Sequence, residues 1–271
     1  MPIHLDNKVH RGVPFSSVTI EHGPHNILDL DHCRELTSAL QEIRADDRSR
    51  VVVLRGHGKC FSSGVDIKQH TREEMPELLP AFHEIFAELL KLRAFTIAAV
   101  HGHCLGGAAE LALACDRVVA ESSASIGLPE VTLGCYPPVA IPLLPERLPT
   151  GMAVGMLISG QPANTEELCR HGAVDRVVTG GQLQAGVEAE LDLFAQKSPA
   201  ILGMIADLVH DEARRRWGER IPHMETQYLE KLLPHPDVEE GIAAFLEKRE
   251  PRWQDPDERP DPREALDWKT N

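Results

Sequence analysis

The chain has 271 residues, of which 42 are acidic and 28 basic, giving a formal charge of −14, and 42% of its residues are hydrophobic. That length supports a substantial core in one large domain with or without a helical appendage, and the acidic balance argues against nucleic acid or an anionic membrane as the main partner. The six cysteines, Cys33, Cys60, Cys104, Cys115, Cys135 and Cys169, form no CxxC pair, so a reducing, cytoplasmic setting is expected.

The opening MPIHLDNKVHRG carries no apolar signal-type stretch. Residues 96–115 have the length of a membrane span, but His101, His103, Glu110 and the Gly106-Gly107 break point to a buried strand, turn and helix instead.

In chain order, residues 13–21 alternate in a β-like way, and Pro24-His25-Asn26 reads as a turn. A helix is expected with Asp31 as its N-cap, Leu36, Leu40 and Ile43 along one face, and an end near Asp46-Asp47. Residues 51–54 form an apolar run leading into the glycine-rich loop RGHGKCFSSG, which predicts a buried strand followed by a functional loop. Residues 75–92 are helical in pattern, with Pro76 and Pro80 at a ragged start. Residues 97–100 form the next buried strand, and the alternation indicates an α/β domain. Beyond, Pro142 and Pro145 limit regular structure, helices are expected at 150–159, 164–171 and 182–196, and a strand at 173–178. After Ser198-Pro199 the pattern becomes all-helical, at 201–217, 220–232 and 238–248. The division predicted is an α/β core over 1–198, a helical region over 199–250 and a charged, Pro-rich tail over 251–271, surface-hugging or disordered.

The candidate chemistry lies in 97–138. Glycines between a strand and a helix let backbone approach a ligand while the new helix presents free N–H groups. Leu105-Gly106-Gly107-Ala108-Ala109-Glu110 has that form, with Glu110 on the first helical turn, although a plain tight turn with an ordinary helix-start acid accounts for the same residues. A second acid, Glu130, also sits among apolar residues, where a carboxylate either finds partners or takes a raised pKa. The loop at 62–68 is a second glycine turn after a buried strand and offers another oxyanion donor, or only a connection.

Taken together, FSSGVDIK (61–68), HGHCLGGAAELALACD (101–116), GLPEVTLG (127–134) and AFLEKREP (244–251) resemble, in order and spacing, the enoyl-CoA hydratase/isomerase or crotonase family. The resemblance reaches to about residue 253. It implies a spiral of ββα units with a C-terminal helical region that assembles a homotrimer, commonly a homohexamer as a dimer of trimers. It also implies an acyl-CoA thioester substrate with no further cofactor. Carried onto this sequence, the Val65 and Gly107 N–H groups form the oxyanion hole, and Glu110 and Glu130 take the places of the two acids of true hydratases. Glu110 would activate water and Glu130 handle the proton at carbon. CoA contacts fall on Ser63, Asp66, Ile67, Lys68 and Lys248, with Lys59 read as a solvated charge. Phe245 corresponds to the aromatic that closes the pocket, or to a core residue of the last helix.

Where common hydratases continue with PGAGGT, this chain has Gly134-Cys135-Tyr136-Pro137-Pro138 and an apolar run containing Val139, Ile141 and Leu143. Prolines stiffen that wall and remove donors. The acyl pocket is therefore expected at Cys135, Tyr136, Pro137, Pro138 and Phe245. The Pro-Pro segment resembles the branch that hydrates cyclohexa-1,5-diene-1-carbonyl-CoA. A general enoyl-CoA hydratase, an isomerase, a ring-opening oxo-acyl-CoA hydrolase and a non-catalytic scaffold are the alternatives, though retention of both glutamates counts against the scaffold. His101, His103, Cys104 and Cys135 lack the usual spacing of a zinc pair, and no metal is expected.

Overall fold

The computed structural model describes residues 3–254. Two strands, β1 (Ile3–His10) and β2 (Val13–Ile20), pair antiparallel through Arg11 and Gly12, both at positive φ. From β2 the sheet continues in parallel through β3 (Val51–Gly56), β4 (Phe95–Val100), β6 (Arg117–Glu121) and β8 (Arg176–Val178), in the spatial order β1-β2-β3-β4-β6-β8. The central strands are apolar on both faces because both are covered. Val52 and Leu54 enter the larger core with Leu36, Phe86 and Leu111, while Val51 and Val53 enter a smaller one with Ile97, Val119 and Leu191. Successive side chains on a strand point oppositely, and that alternation divides the two cores.

The larger core is covered by α1 (Leu30–Asp46), α2 (Met75–Leu89) and α3 (Gly107–Ala114), the smaller by α7 (Leu183–Leu191). A second sheet of β5 (His103–Leu105) and β7 (Ser125–Gly127) is parallel and stands where the two glycine loops meet. Between the sheets and the C-terminal helices lie α4 (Ala140–Arg147), α5 (Thr150–Ser159) and α6 (Thr165–Arg170). The C-terminal helices are α8 (Pro199–Gln227) and α9 (Pro236–Glu247).

Several boundaries differ from the sequence expectation. The N-cap of α1 is Asp29, whose Oδ1 accepts the His32 N–H at 3.0 Å, so Asp31 falls inside the first turn. Pro80 lies within α2 rather than at its start, and the Pro142–Pro145 stretch folds as α4. The helices expected at 201–217 and 220–232 are one helix, α8, followed by a π turn over Tyr228–Leu232. The edge strand β1 adds to the elements expected from the sequence: Ile3, Leu5 and Val9 alternate with polar residues, but Asn7 interrupts the pattern and most of the strand is exposed.

Helix α8 is fixed to the body by His210, whose Nδ1 donates to the Leu92 carbonyl at 2.8 Å and whose Nε2 faces Asp116 Oδ1 at 3.1 Å. Along its other side Ile201, Met204 and Leu208 are exposed. Residues 251–254 run back along α9, with the Arg252 N–H donating to Glu240 and the Gln254 N–H to Asp237. The rest of the tail expectation, 255–271, lies outside the described residues. Among the described residues no helix is long and apolar enough to cross a membrane.

Candidate active site

Two glycine loops are brought side by side by short parallel pairings. The Ser62 N–H donates to the His103 carbonyl at 3.1 Å and the Leu105 N–H to the Ser62 carbonyl at 3.2 Å, tying the 61–65 loop to β5. On its other flank the Leu28 N–H donates to Gly64 and the Asp66 N–H to Leu28. Because Val65 pairs with Leu28 through its neighbours' groups, its own N–H is left facing away from that bridge. The Gly107 N–H, at the start of α3, is likewise free as a first-turn donor. Among the described residues neither N–H has a hydrogen-bond acceptor.

The loops approach so closely that a Cβ on Gly64, which sits at φ +94, would lie 2.5 Å from the Leu105 carbonyl oxygen and 3.4 Å from the Gly107 nitrogen. The glycine is thus required both by the backbone angle and by the contact that aligns the two donors.

A residue with no part in the sequence argument holds this arrangement. Asn26, fully buried at positive φ, donates through Nδ2 to the carbonyls of His57 and Cys60 at 2.8 Å and of Phe61 at 3.2 Å, while its own carbonyl accepts from Ser62 Oγ at 2.7 Å. The Pro-His-Asn turn was visible in the sequence, but its cross-chain partners were not. Asn26→Ala leaves those buried carbonyls short of a donor. A loss of about 1–3 kcal/mol in folding stability is expected, measured by denaturant unfolding, together with a lower kcat from the displaced Val65 N–H.

Behind the N–H pair opens a small cavity of about 70 Å³. Glu110 and Glu130 both line it. Glu110 is on the first turn of α3, 2% exposed, and its Oε1 accepts the N–H groups of Val139 at 2.8 Å and Ala140 at 2.7 Å, at the start of α4. Glu130 is on the short 3-10 turn Pro129–Leu133; a Cβ on Gly106 would lie 2.9 Å from its Oε1, and its Oε2 is shut off from solvent with no partner.

Burial raises both carboxyls. The two backbone N–H groups counter this at Glu110, which reaches about 7, whereas Glu130 is pushed further, to about 8, by burial and by the charge of Glu110. The acid whose charged form is hydrogen-bonded ionises first, and the unpartnered one keeps the proton. As pH rises through neutrality Glu110 is therefore the first of the pair to become a carboxylate, while Glu130 holds its proton longer.

The remaining expected residues are distributed unevenly. Ser63 and Ile67 line the cavity on the side of the 61–68 loop, while Asp66 caps the turn over Ile67–Gln69 by accepting the Lys68 N–H at 3.0 Å. Lys68, Lys59 and Lys248 are exposed, and Lys248 forms the left-handed C-cap of α9. Tyr136 and Pro138 line the cavity. Pro137 does not, and Cys135 lies buried behind the wall, its thiol donating to the Leu133 carbonyl at 3.6 Å. Phe245 is 54% exposed on α9 and lies away from the cavity wall, because the buried stripe of that helix runs through Val238, Ile242 and Ala244.

In place of Phe245, the apolar lining comes from α2, through Met75, Leu78, Leu79 and Phe82, and from Tyr228. The apolar stripe of α2 was legible as a helix face but not as a pocket wall.

His22, Asp29 and His32 present ligand-type atoms within 4.8 Å of one another. The two imidazoles are stacked, 3.9 Å apart and 15° from parallel, so their in-plane lone pairs do not converge on one point. His32 Nδ1 is instead engaged with Asp29 at 2.5 Å.

Two free N–H donors on a cavity lined by two carboxyls of unequal acidity can stabilise a developing enolate and move protons across a conjugated thioester. Comparison with known proteins agrees with it. The pattern of the family described as enoyl-CoA hydratase/isomerase matches residues 15–256. A probable enoyl-CoA hydratase of Bacillus subtilis is 32% identical over 246 residues, covering 88% of this chain and 94% of that one. The cyclohexa-1,5-dienecarbonyl-CoA hydratase of Thauera aromatica is 30% identical over 229 residues, covering 84% and 88%. An enoyl-CoA hydratase structure from Mycobacterium avium subsp. paratuberculosis superposes with a TM-score of 0.80 at 23% identity, covering 93% of this chain and 98% of that one. With its fold, its paired glycine loops and these relatives in agreement, the chain belongs to the enoyl-CoA hydratase/isomerase family, and its fold is the crotonase fold.

Proposed function

We propose that the protein is a hydro-lyase that adds water to a conjugated enoyl-CoA thioester, and that its substrate is cyclohexa-1,5-diene-1-carbonyl-CoA. The observation that carries the chemistry is the inequality of the two buried glutamates beside the free Val65 and Gly107 N–H groups. In the reaction the thioester oxygen takes both N–H groups. Glu110 as carboxylate removes a proton from water as its oxygen attacks the β-carbon, and negative charge moves to the thioester oxygen. Glu130 then delivers its proton to the α-carbon, leaving Glu110 protonated and Glu130 ionised, and transfer of a proton from Glu110 to Glu130, directly or through solvent, resets the pair for the next turnover.

CoA is the only cofactor-like group in this reading and arrives as part of the substrate. Ser63, Asp66, Ile67 and Lys68 on the loop flanking the cavity, with Lys248 on α9, are the proposed contacts for it. Assembly through the helical region as a homotrimer or a dimer of trimers is proposed as well, supported by the exposed apolar run Ile201, Met204 and Leu208.

The cyclic substrate is supported by the stiff, aromatic wall of Tyr136, Pro138, Tyr228 and Phe82, which suits a flat ring, and by the Thauera relative. The Bacillus relative, similar at 32%, favours a general enoyl-CoA hydratase as the second reading. Turnover of crotonyl-CoA and of the cyclic dienoyl-CoA by the same preparation separates them. The cyclic thioester is expected to give the higher kcat/KM and a product heavier by one water. Faster turnover of crotonyl-CoA selects the general hydratase, and a product of unchanged mass selects isomerisation.

A further inference from the structure

Helix α8 does not end in an ordinary turn. Over Tyr228–Leu232 the backbone widens to a π turn, the Leu233 N–H reaching back five residues to the Tyr228 carbonyl at 2.8 Å. Such turns insert a residue into the helical register, redirect a side chain and occur frequently at functional sites. Here the redirected side chain is Tyr228, 2% exposed and on the cavity wall.

Its ring is held edge-on by Tyr136, with centroids 5.4 Å apart and planes at 75°. Behind it the buried Cys135 thiol donates to the Leu133 carbonyl at 3.6 Å. The Cys135 N–H donates to the Glu130 carbonyl at 3.0 Å, so this chain of contacts lies directly behind the second acid. Burial, first, and then the neighbouring thiol and Glu130 hold the phenol well above its ordinary pKa, which keeps it a neutral hydroxyl. The residue is therefore held by burial and by ring packing against Tyr136, and acts as a fixed part of the cavity wall.

We infer that Tyr228 is a specificity-determining residue: as a buried part of the acyl cavity wall, packed on Tyr136, it limits the site to compact acyl groups, cyclic or short, against extended chains. This rests on the acyl-thioester reading above, and it adds the dimension along which substrates are sorted. A rigid buried ring at that position leaves no path for a chain to continue, whereas each methylene that can be buried is worth about four-fold in binding.

The test compares wild type with Tyr228→Ala and Tyr228→Phe on crotonyl-CoA and on a straight-chain enoyl-CoA of ten carbons. Binding of the corresponding saturated thioesters, which cannot be hydrated, is followed by calorimetry. Tyr228→Ala is expected to raise the long-to-short ratio of kcat/KM, and of affinity, at least about ten-fold, since several methylenes gain room. Tyr228→Phe keeps the wall and is expected to hold that ratio within about two-fold of wild type. A merely structural tyrosine would lower the melting temperature without moving the ratio. If the alanine variant does not fold, Tyr228→Leu, which shortens the side chain but keeps it apolar, carries the same comparison. An unchanged ratio, or a wild type that already prefers the long chain, overturns the inference and leaves the catalytic reading standing. A wild type that neither binds nor hydrates any thioester overturns both.

Discussion

Glu110→Gln and Glu130→Gln are each expected to lower kcat for hydration by about a hundred- to ten-thousand-fold, with the melting temperature held or raised. Glutamine at 110 keeps an oxygen that accepts the Val139 and Ala140 N–H groups, so α4 stays anchored, yet it has no lone pair basic enough to take a proton from water. Glutamine at 130 has no acidic proton to give to carbon. Wild-type activity should be bell-shaped in pH, falling on the acid side as Glu110 is protonated around pH 7 and on the alkaline side as Glu130 loses its proton around pH 8. In Glu130→Gln the alkaline limb disappears.

The sign of the stability effect follows from the same shifts. Carboxyls raised from 4.5 bind more protons folded than unfolded, so their contribution is fully present below pH 4.5 and is lost as pH rises through 7 to 8. Both glutamine variants should therefore gain on wild type in melting temperature at pH 9 relative to pH 5. Wild-type kcat in both variants would remove the glutamates from the chemistry.

The parts of the site that depend on local sequence pattern were legible before the fold. Gly106-Gly107 followed by Glu110 places an acid on a first helical turn whatever the surroundings, and the apolar runs of β3 and β4 announce buried strands because both faces of the sheet are covered. What was not legible depends on distant pairs. Asn26 looks like any turn asparagine until three carbonyls from 57 to 61 converge on its amide. Tyr228 falls within a helix expected over 220–232, and its place on the cavity wall, at the π turn, shows only in the fold. Phe245 shows the reverse: the family resemblance put it at the pocket, or else in the core of the last helix, while the buried stripe of α9 runs through Val238, Ile242 and Ala244 and leaves it 54% exposed. Prolines misled twice, at Pro80 and in α4, because tertiary packing retains a helix that local propensity disfavours.

Gly64→Ala is expected to be the most damaging change that removes no functional group. The glycine stands at φ +94, where an L side chain is strained by about 1–3 kcal/mol, and its new Cβ would overlap the Leu105 carbonyl oxygen, 2.5 Å away. Neither side can give easily. The Gly64 N–H donates to Ser62 Oγ at 3.0 Å and its carbonyl accepts from Leu28 at 2.9 Å, while Leu105 belongs to β5 and is itself bonded to Ser62. Relief must come from moving the 62–65 loop, which carries the Val65 N–H out of line with Gly107. Loss of one oxyanion donor costs about a hundred- to a thousand-fold in kcat. Gly107→Ala supplies the contrast, since the nearest atoms to its Cβ would be side-chain ones, Val65 Cγ2 at 2.8 Å and Phe82 Cζ at 2.9 Å, rather than backbone, so the strain falls on the cavity wall more than on the aligned donors. Steady-state kinetics beside thermal unfolding should therefore show kcat falling far more in Gly64→Ala than in Gly107→Ala, at comparable KM. Equal losses in the two variants would mean that loop alignment at Gly64 does not set the oxyanion hole.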